Sequence, residues 1–218
     1  MKRVLAILGD YYHEEVSRVE ALNAVVKRGI EEGNPVEVEY ITYEELMVKL
    51  KDRPDAVILS KANQLNPVES PTSYWMDLKI EKEVCEYVNN GGGWFVWHSG
   101  LSSYEMVGNY YSMVRGKFDY HPSEQQVVSY FPVENTNTIT DIQPFEMKDE
   151  HYFVTCDEQH TNVFLRAISQ DGSSIAGWSH EYGKGRVICI TPGHSKVAMM
   201  DEAVTELLYN SLKWSCRM

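Results

Sequence analysis

The sequence lacks the features that direct a chain to a membrane or to nucleic acid. It has no apolar run of about 18 residues, the length that spans a bilayer. The apolar run Val4–Leu8 is too short for the core of a signal peptide, and no cleavage site follows it. Acidic residues outnumber basic ones, 32 against 20, which gives a net charge of −12. Because such a chain repels phosphate groups, we expect no nucleic-acid or membrane partner and a cytoplasmic location.

Cysteine is scarce, and its spacing excludes the common metal and redox motifs. Cys85, Cys156, Cys189 and Cys216 lie far apart and form no C-x-x-C pair or zinc-ribbon pattern. Cys189 is surrounded by apolar residues in Val187–Ile190. Buried thiols in apolar surroundings ionise poorly and react slowly. We therefore expect four reduced and chemically inert thiols.

The chain also lacks linkers, internal repeats and low-complexity segments. Its 218 residues include 43% hydrophobic and 24% charged residues, proportions that are ordinary for a globular protein. A chain of this length fits one large domain. We expect a single domain over residues 1–218.

The first half alternates between strand-like and helix-like segments. The strand segments are short and apolar, whereas the helical segments place apolar side chains three or four residues apart. The second predicted helix starts with Thr42 and Glu45 at the spacing of a capping box. The predicted order is strand Val4–Leu8, helix Glu14–Glu32, strand Val36–Ile41, helix Tyr43–Lys51, strand Ala56–Leu59, helix Ile80–Asn89 and strand Trp94–Trp97. This order predicts an α/β fold with a parallel sheet and right-handed crossovers.

The pattern changes after Gln125. Gln126–Val133 alternates between apolar and polar residues, and Ser174–His180 and Arg186–Thr191 flank a glycine-containing turn, as in an antiparallel hairpin. Met200–Trp214 has the spacing of a closing amphipathic helix. We predict an antiparallel portion that is appended to the parallel sheet or inserted into it.

Several histidines follow predicted strands, where open parallel sheets bind their ligands. Three of the seven histidines, His13, His98 and His194, lie at these positions. An imidazole titrates near neutral pH, so it suits either proton transfer or metal binding. Asp149 and Glu150 place two carboxylates beside a further histidine. We expect His98, His194 and Glu150 to meet in one cleft.

Histidines with a carboxylate are also the ligand set of zinc and related metals. The candidate ligands are His98, His121, Glu150 and His194, with His13 as a further donor. The chain has no H-x-x-x-H or H-E-x-x-H motif, so only the fold can assemble such a site. Both a metal site and metal-free acid–base chemistry therefore stay open.

Aromatic residues near the same loops suit a sugar ligand. The chain has 14 tyrosines and 5 tryptophans, and Tyr11, Tyr12, Tyr110, Tyr111 and Trp97 lie close to the predicted site in sequence. Aromatic faces pack against the C–H faces of sugar rings, while carboxylates and amides bind the hydroxyls. Core packing or a surface between two copies of the chain accounts for most of these residues equally well.

Taken together and in this order, several segments resemble the ThuA-like (trehalose utilisation) family. These segments are Gly91–Gly100, Gly116–Pro122, Asp149–Tyr152, Trp178–Val187 and Thr191–Ser195. The resemblance implies the flavodoxin-like three-layer fold of class I glutamine amidotransferases, with a central, mostly parallel sheet and an antiparallel β extension. It also implies that Glu150 is the inward-facing residue of the acidic pair. A role in carbohydrate metabolism is implied as well, although a fold alone does not fix a function.

The resemblance places His98 and Ser99 where glutamine amidotransferases carry a cysteine nucleophile. No cysteine lies nearby, so we expect no glutaminase activity. A nucleophile elbow needs small residues two positions on either side of the nucleophile. Trp97 and Leu101 occupy those positions around Ser99, which disfavours a serine hydrolase.

Our interpretation is an enzyme that acts on a sugar or sugar derivative by acid–base or metal-assisted chemistry. The alternative is a non-catalytic ligand-binding or assembly module, and either protein can form a homo-oligomer. The predicted ligand is a small carbohydrate-like molecule; no cofactor is required by the sequence, and a zinc-like divalent metal is the one that these residues could hold. The predicted catalytic residues are His98, His194 and Glu150, and the predicted substrate-binding residues are His13, Ser99, His121, Tyr12 and Asp149.

Overall fold

The computed structural model describes residues 1–104, 108–134, 136, 138–139 and 142–218. Strands and helices alternate through the first half, as the hydrophobic pattern predicts. The strands are β1 (Lys2–Leu8), β2 (Val36–Tyr40), β3 (Ala56–Ser60), β4 (Gly93–Trp97), β5 (Gly116–Tyr120), β6 (Gln126–Pro132), β7 (Phe145–Asp149), β8 (Phe153–Cys156), β9 (Asn162–Ser169), β10 (Gly172–Tyr182) and β11 (Gly185–Ile190).

The helices cover the sheet and connect its parallel strands. They are α1 (Glu15–Glu31), α2 (Leu46–Lys49), α3 (Leu78–Asn89), α4 (Gly108–Val114), α5 (Lys196–Met199) and α6 (Glu202–Cys216). None of the helices in the described ranges has the length and apolarity of a membrane span.

One nine-stranded sheet organises the molecule, in the order β2-β1-β3-β4-β11-β10-β9-β6-β7. The five strands from β2 to β11 are parallel, and the four that follow are antiparallel. The α/β fold with a mostly parallel sheet is therefore confirmed. The antiparallel portion continues the same sheet through the hairpin β10–β11, and β5 pairs with β8 in a separate two-stranded sheet.

Helices cover both faces of the parallel strands, which gives the expected three layers. Side chains of a strand alternate between faces. Val4, Ala6 and Leu8 of β1 therefore pack in one apolar cluster with α1, α5 and α6, whereas Leu5 and Ile7 pack in the other with α2, α3 and α4. Both clusters are buried, so β1 is apolar along almost its whole length, as expected for a central parallel strand.

The second helix is shorter than the sequence predicts. Its α-helical part starts at Leu46 rather than Tyr43, and the 3₁₀ turn Leu50–Asp52 follows it. The Glu45 carboxylate accepts a hydrogen bond from the Thr42 N–H at 2.8 Å, so one half of the capping box forms. The residues between form a turn instead, because the Glu45 N–H donates to the Thr42 carbonyl, three residues back.

The segment Gly116–Pro122 contains the strand β5, which is not among the strands that the hydrophobic pattern predicts. Its partner β8 is some 40 residues away along the chain, and Gly116 pairs with Cys156. A pairing between such distant segments leaves little trace in a local hydrophobic pattern. It places His121 directly after a strand end.

All four cysteines are free thiols, and the structure places them in poorly ionising environments. Burial raises the pKa of Cys85 and Cys156 to about 11 and that of Cys216 to about 12, and it raises the pKa of Cys189 well above its usual value.

At pH 8 we expect Ellman's reagent to modify the native protein slowly, and to modify four thiols at once after unfolding in guanidinium. Rapid reaction of a native thiol would show an activated cysteine that the structure does not contain.

Candidate metal centre

The turn after β1 carries the first functional histidine. Gly9 has φ +76°, and a Cβ there would lie 2.8 Å from the Cβ of Glu15, so glycine permits the close approach to α1. The Asp10 carboxylate accepts hydrogen bonds from the His13 ring Nδ1 at 2.6 Å and from the Ala62 N–H at 3.0 Å. Burial opposes ionisation of Asp10, but these bonds outweigh it and hold its pKa well below the usual range. Asp10 thus fixes the His13 ring with Nε2 directed away from it.

The second histidine is held at the end of β4. His98 is fully buried and has φ 49°, a left-handed conformation that is uncommon for a residue other than glycine. Its Nδ1 donates to the Thr191 carbonyl at 2.7 Å, so the proton of the neutral ring lies on Nδ1 and the lone pair on Nε2. Burial lowers the pKa of His98 to about 3, and the ring is neutral near pH 7.

The third histidine and the glutamate depend on a buried carboxylate. Asp149 accepts hydrogen bonds from the backbone N–H groups of Gly193 at 2.8 Å and His194 at 2.9 Å. This contact fixes the loop after β11 against the end of β7. Burial raises the pKa of Asp149, although the two N–H groups act in the opposite direction. Glu150, the next residue, extends to His194 and His98.

These four side chains converge on one point. Glu150 Oε2 lies 3.1 Å from His194 Nδ1 and 3.5 Å from His98 Nε2, and the two nitrogens are 3.3 Å apart. With His13 added, one ligand atom from each residue lies within 4.8 Å of the others. Tetrahedral zinc with bonds of about 2.1 Å separates its ligand atoms by roughly 3.4 Å, so three of the donors already have the required spacing.

The protonation states favour a cation at this point. Asp10 and the Thr191 carbonyl accept hydrogen bonds from the Nδ1–H groups of His13 and His98, so both rings present the lone pair of Nε2 to the group. His13 Nε2 is buried and has no hydrogen-bond partner among the described residues. Burial opposes ionisation of Glu150, but its contacts with the His194 and His98 rings outweigh this and hold its pKa well below the usual range, so its carboxylate is ionised. Facing lone pairs and a carboxylate repel one another unless a proton or a metal ion lies between them.

An aromatic wall covers one side of the group. Tyr152 is buried and stacks on the His98 ring with centroids 4.0 Å apart, and Phe118 packs against Tyr152 at 4.4 Å. His121 Nε2 lies 3.6 Å from Glu150 Oε1, the other carboxylate oxygen, and its side chain is 36% exposed. The compact ligand group therefore contains His13, which the sequence offered as a further donor, and His121 lies at its solvent side.

The other predicted site residues take different positions. Ser99 is fully buried, and its hydroxyl has no hydrogen-bond partner among the described residues. Asp149 is also fully buried and accepts a hydrogen bond from the backbone N–H of His194. The Tyr12 ring is exposed, and its backbone N–H donates to Asp10. The left-handed residue of the elbow is His98, so a histidine occupies the position at which a nucleophile would be expected.

A cleft of about 560 Å³ adjoins the group at the carboxyl ends of β1, β2 and β3. Asp10 and His13 line the cleft, and His13 is also one of the four donors, so a ligand in this cleft lies beside the histidine group. Its lining combines tyrosine rings, carboxylates and one lysine: Tyr40, Tyr43, Glu14, Glu15, Glu44, Glu45 and Lys61.

The supporting residues Asp10 and Thr191 were missed by sequence reasoning. Asp10 precedes His13 by three residues after a strand, a local spacing that points weakly to such a pair. Thr191 acts through its carbonyl group, which every residue has, so the sequence contains no signal for it.

Comparison with known proteins assigns the family. The family model described as trehalose utilisation, ThuA, matches residues 3–215. The chain belongs to the ThuA family. No curated protein matches this ThuA sequence.

Solved structures share the ThuA fold at low sequence identity. A ThuA-like protein from Parabacteroides merdae has a TM-score of 0.77 at 14% identity, over 99% of this chain and 90% of its own. A cytoplasmic protein from Salmonella typhimurium LT2 has a TM-score of 0.68 at 16% identity, over 98% and 99% of the two chains. A β-galactosidase from Rahnella sp. R3 has a TM-score of 0.64 at 12% identity, over 98% of this chain and 31% of the enzyme. At these identities the likeness shows the fold alone.

The Asp10–His13 bond yields a first prediction for the site. Asp10→Asn removes the charge that orients the ring, so we expect metal affinity to fall roughly 10–100-fold, the usual loss when a hydrogen-bond partner of a ligand is removed. Asp157 and His160 form a pair with the same three-residue spacing on the surface, at 2.8 Å, so Asp157→Asn is the matched control. Calorimetric titration with Zn²⁺ measures both. Equal affinity in the two variants would contradict the role of Asp10.

A second prediction concerns the acid sensitivity of the metal-free protein. Burial lowers the pKa of His13, brings that of His98 to about 3 and brings that of His180 to about 4. Unfolded histidines have a pKa near 6.5, so below that pH the unfolded state binds more protons than the folded state. Stability should therefore fall as the pH drops from about 6.5 towards 4, by at most about 1.4 kcal/mol per pH unit for each such histidine. Urea unfolding at pH 7.5, 6.5 and 5.5 tests this, and equal stabilities would contradict it.

Proposed function

We propose that this ThuA protein is an enzyme that binds one divalent metal ion through His13, His98, Glu150 and His194 and acts on a sugar or sugar derivative. The observation that carries the proposal is the convergence of four donors within 4.8 Å, with the proton-bearing nitrogens of His13 and His98 occupied elsewhere. Neutral imidazoles with a carboxylate suit zinc, iron or manganese. When bound, such an ion polarises an oxygen ligand or lowers the pKa of bound water.

The residues around the group supply binding and proton transfer. Glu150 and His194 are 13% and 21% exposed, whereas His98 is fully buried, so a ligand reaches the group from the side of Glu150 and His194. His121 belongs to this open side, because its Nε2 lies 3.6 Å from Glu150 Oε1. It is within reach of a substrate that contacts Glu150, and an imidazole is a common proton-transfer group.

Three observations support a sugar as the substrate class. The family is described by trehalose utilisation, and one neighbour in fold is a β-galactosidase. The cleft beside His13 offers the rings of Tyr40 and Tyr43 together with carboxylates and Lys61. Such a lining provides apolar faces and both acceptors and donors for hydroxyl groups.

Metal-free acid–base chemistry uses the same residues differently. In that case His194 is protonated and donates to Glu150 across 3.1 Å, and the pair transfers protons directly. The two mechanisms differ in their response to chelation, because only the metal-dependent enzyme loses activity in EDTA and regains it with added metal.

A non-catalytic module is the alternative from another class. One observation favours it, since the matching fold makes up only 31% of the β-galactosidase from Rahnella. The same fold therefore exists as part of a larger enzyme. A protein of this kind would bind no metal at the four donors and would show no turnover with any sugar.

Metal binding provides the decisive test. Titration of the metal-free protein with Zn²⁺ should show one site per chain, and His98→Ala should weaken it at least about 100-fold, because His98 is fully buried among the donors. His160→Ala removes a surface histidine that pairs with Asp157 and serves as the control. Elemental analysis of purified protein should agree. If the wild type and His98→Ala take up Zn²⁺ equally weakly, the proposal fails.

Variants at the elbow separate this mechanism from a serine hydrolase. Ser99→Ala should keep most of the activity, because the Ser99 hydroxyl has no hydrogen-bond partner among the described residues. His98→Ala and His194→Ala should lower the rate by roughly 10²–10⁴-fold or more. Turnover of a sugar library, with ligand affinity by calorimetry as a second measurement, compares the three. Loss of all activity in Ser99→Ala alone would establish a covalent serine mechanism.

A further inference from the structure

A buried arginine lies behind the candidate metal centre. Arg18 of α1 is 1% exposed, and its Nε donates to the Ser60 hydroxyl at 2.8 Å. Its guanidinium lies over the Trp97 ring, 5.5 Å from the centroid. Trp97 directly precedes His98, so this positive charge is next to the strand end that carries a ligand.

This guanidinium has no direct ionic partner. Throughout the described part of the chain, no carboxylate lies within 4.0 Å of it, and its Nη2 is buried without a hydrogen-bond partner. A buried charge without a partner is strongly unfavourable. Arginine keeps its charge even in such a place. The nearby charges that interact with it are Asp10, Asp149 and Glu150, which surround the histidine group.

The charges of the site explain what this arginine contributes. Glu150 and Asp10 are ionised, so a divalent ion surrounded only by these two groups would have its charge cancelled. Arg18 offsets one negative charge, so the loaded centre is one charge more positive than it would be without the arginine. A more positive centre in a buried site attracts an anionic oxygen more strongly, and the low effective dielectric strengthens this attraction.

We propose that Arg18 is a positioning residue that makes the loaded metal centre more positive by one charge, so that the centre binds an anionic oxygen ligand such as a carboxylate or the alkoxide of a sugar. This inference rests on the proposed function. It names the charge of the ligand atom at the metal. It also has a second consequence, because the charge that attracts the anion repels the metal ion and weakens its binding.

Arg18→Met tests the proposal through two affinities that move in opposite directions. Met retains the apolar stem and removes the charge. We expect Co²⁺ to bind at least about tenfold tighter, and azide to bind the Co²⁺-loaded protein at least about tenfold weaker, because one positive charge is lost beside the centre. Arg18→Lys keeps the charge and should leave both affinities within about threefold of the wild type.

Arg28→Met is the matched control, since Arg28 lies on the same helix and pairs at the surface with Glu32 and Glu206. Calorimetry gives the Co²⁺ affinity, the visible spectrum gives the azide affinity, and circular dichroism confirms folding.

A purely structural role for Arg18 would weaken both affinities in Arg18→Met, and unchanged affinities would also overturn the inference. If the wild type takes up no Co²⁺, the proposed function fails and the inference falls with it. If Arg18→Met does not fold, Arg18→Lys serves as the test. Weaker azide binding by this folded and charged variant would contradict the proposal.

Discussion

The site depends on the parallel pairing of β4 with β11. Ile190 lies opposite Trp97 in this pair, so the residues that follow, Thr191 and His98, leave the sheet side by side. The Thr191 carbonyl then accepts a hydrogen bond from the His98 Nδ1–H at 2.7 Å. This bond directs the other ring nitrogen of His98 towards His194. A shift of this register by one residue would reverse the faces of every side chain in β11 and remove the contact.

The rest of the site is attached to this pair by buried carboxylates. Asp10 holds His13 after β1, and Asp149 holds the backbone of His194 from the end of β7. The antiparallel half of the sheet therefore has a definite role, because it delivers Glu150 to histidines that come from the parallel half. Arg18 adds a positive charge behind the group. The hydrogen bonds to Asp10 and to the Thr191 carbonyl fix which ring nitrogen of His13 and of His98 is free to bind a metal ion.

Much of this arrangement could be predicted from the sequence. The short apolar strands and the helical spacing between them gave the parallel sheet, and the general rule for ligand sites in such sheets selected His13, His98 and His194. Glu150 required the family resemblance, because an acidic pair within a mixed segment does not show which carboxylate faces inward. The position of His121 at the solvent side of the ligand group could not be foreseen, since it depends on the pairing of β5 with β8. Arg18 was also hidden, because one arginine on an amphipathic helix ordinarily faces solvent.

X-ray absorption at the zinc edge of the Zn²⁺-loaded protein tests the central claim most directly. The account predicts a first shell of nitrogen and oxygen atoms at about 2.0–2.1 Å, with the outer-shell scattering of three imidazole rings. In His13→Ala the imidazole count should fall by one. A shell that contains sulfur, or one of water oxygens without imidazole scattering, would contradict the assignment of His13, His98, Glu150 and His194 as a metal centre.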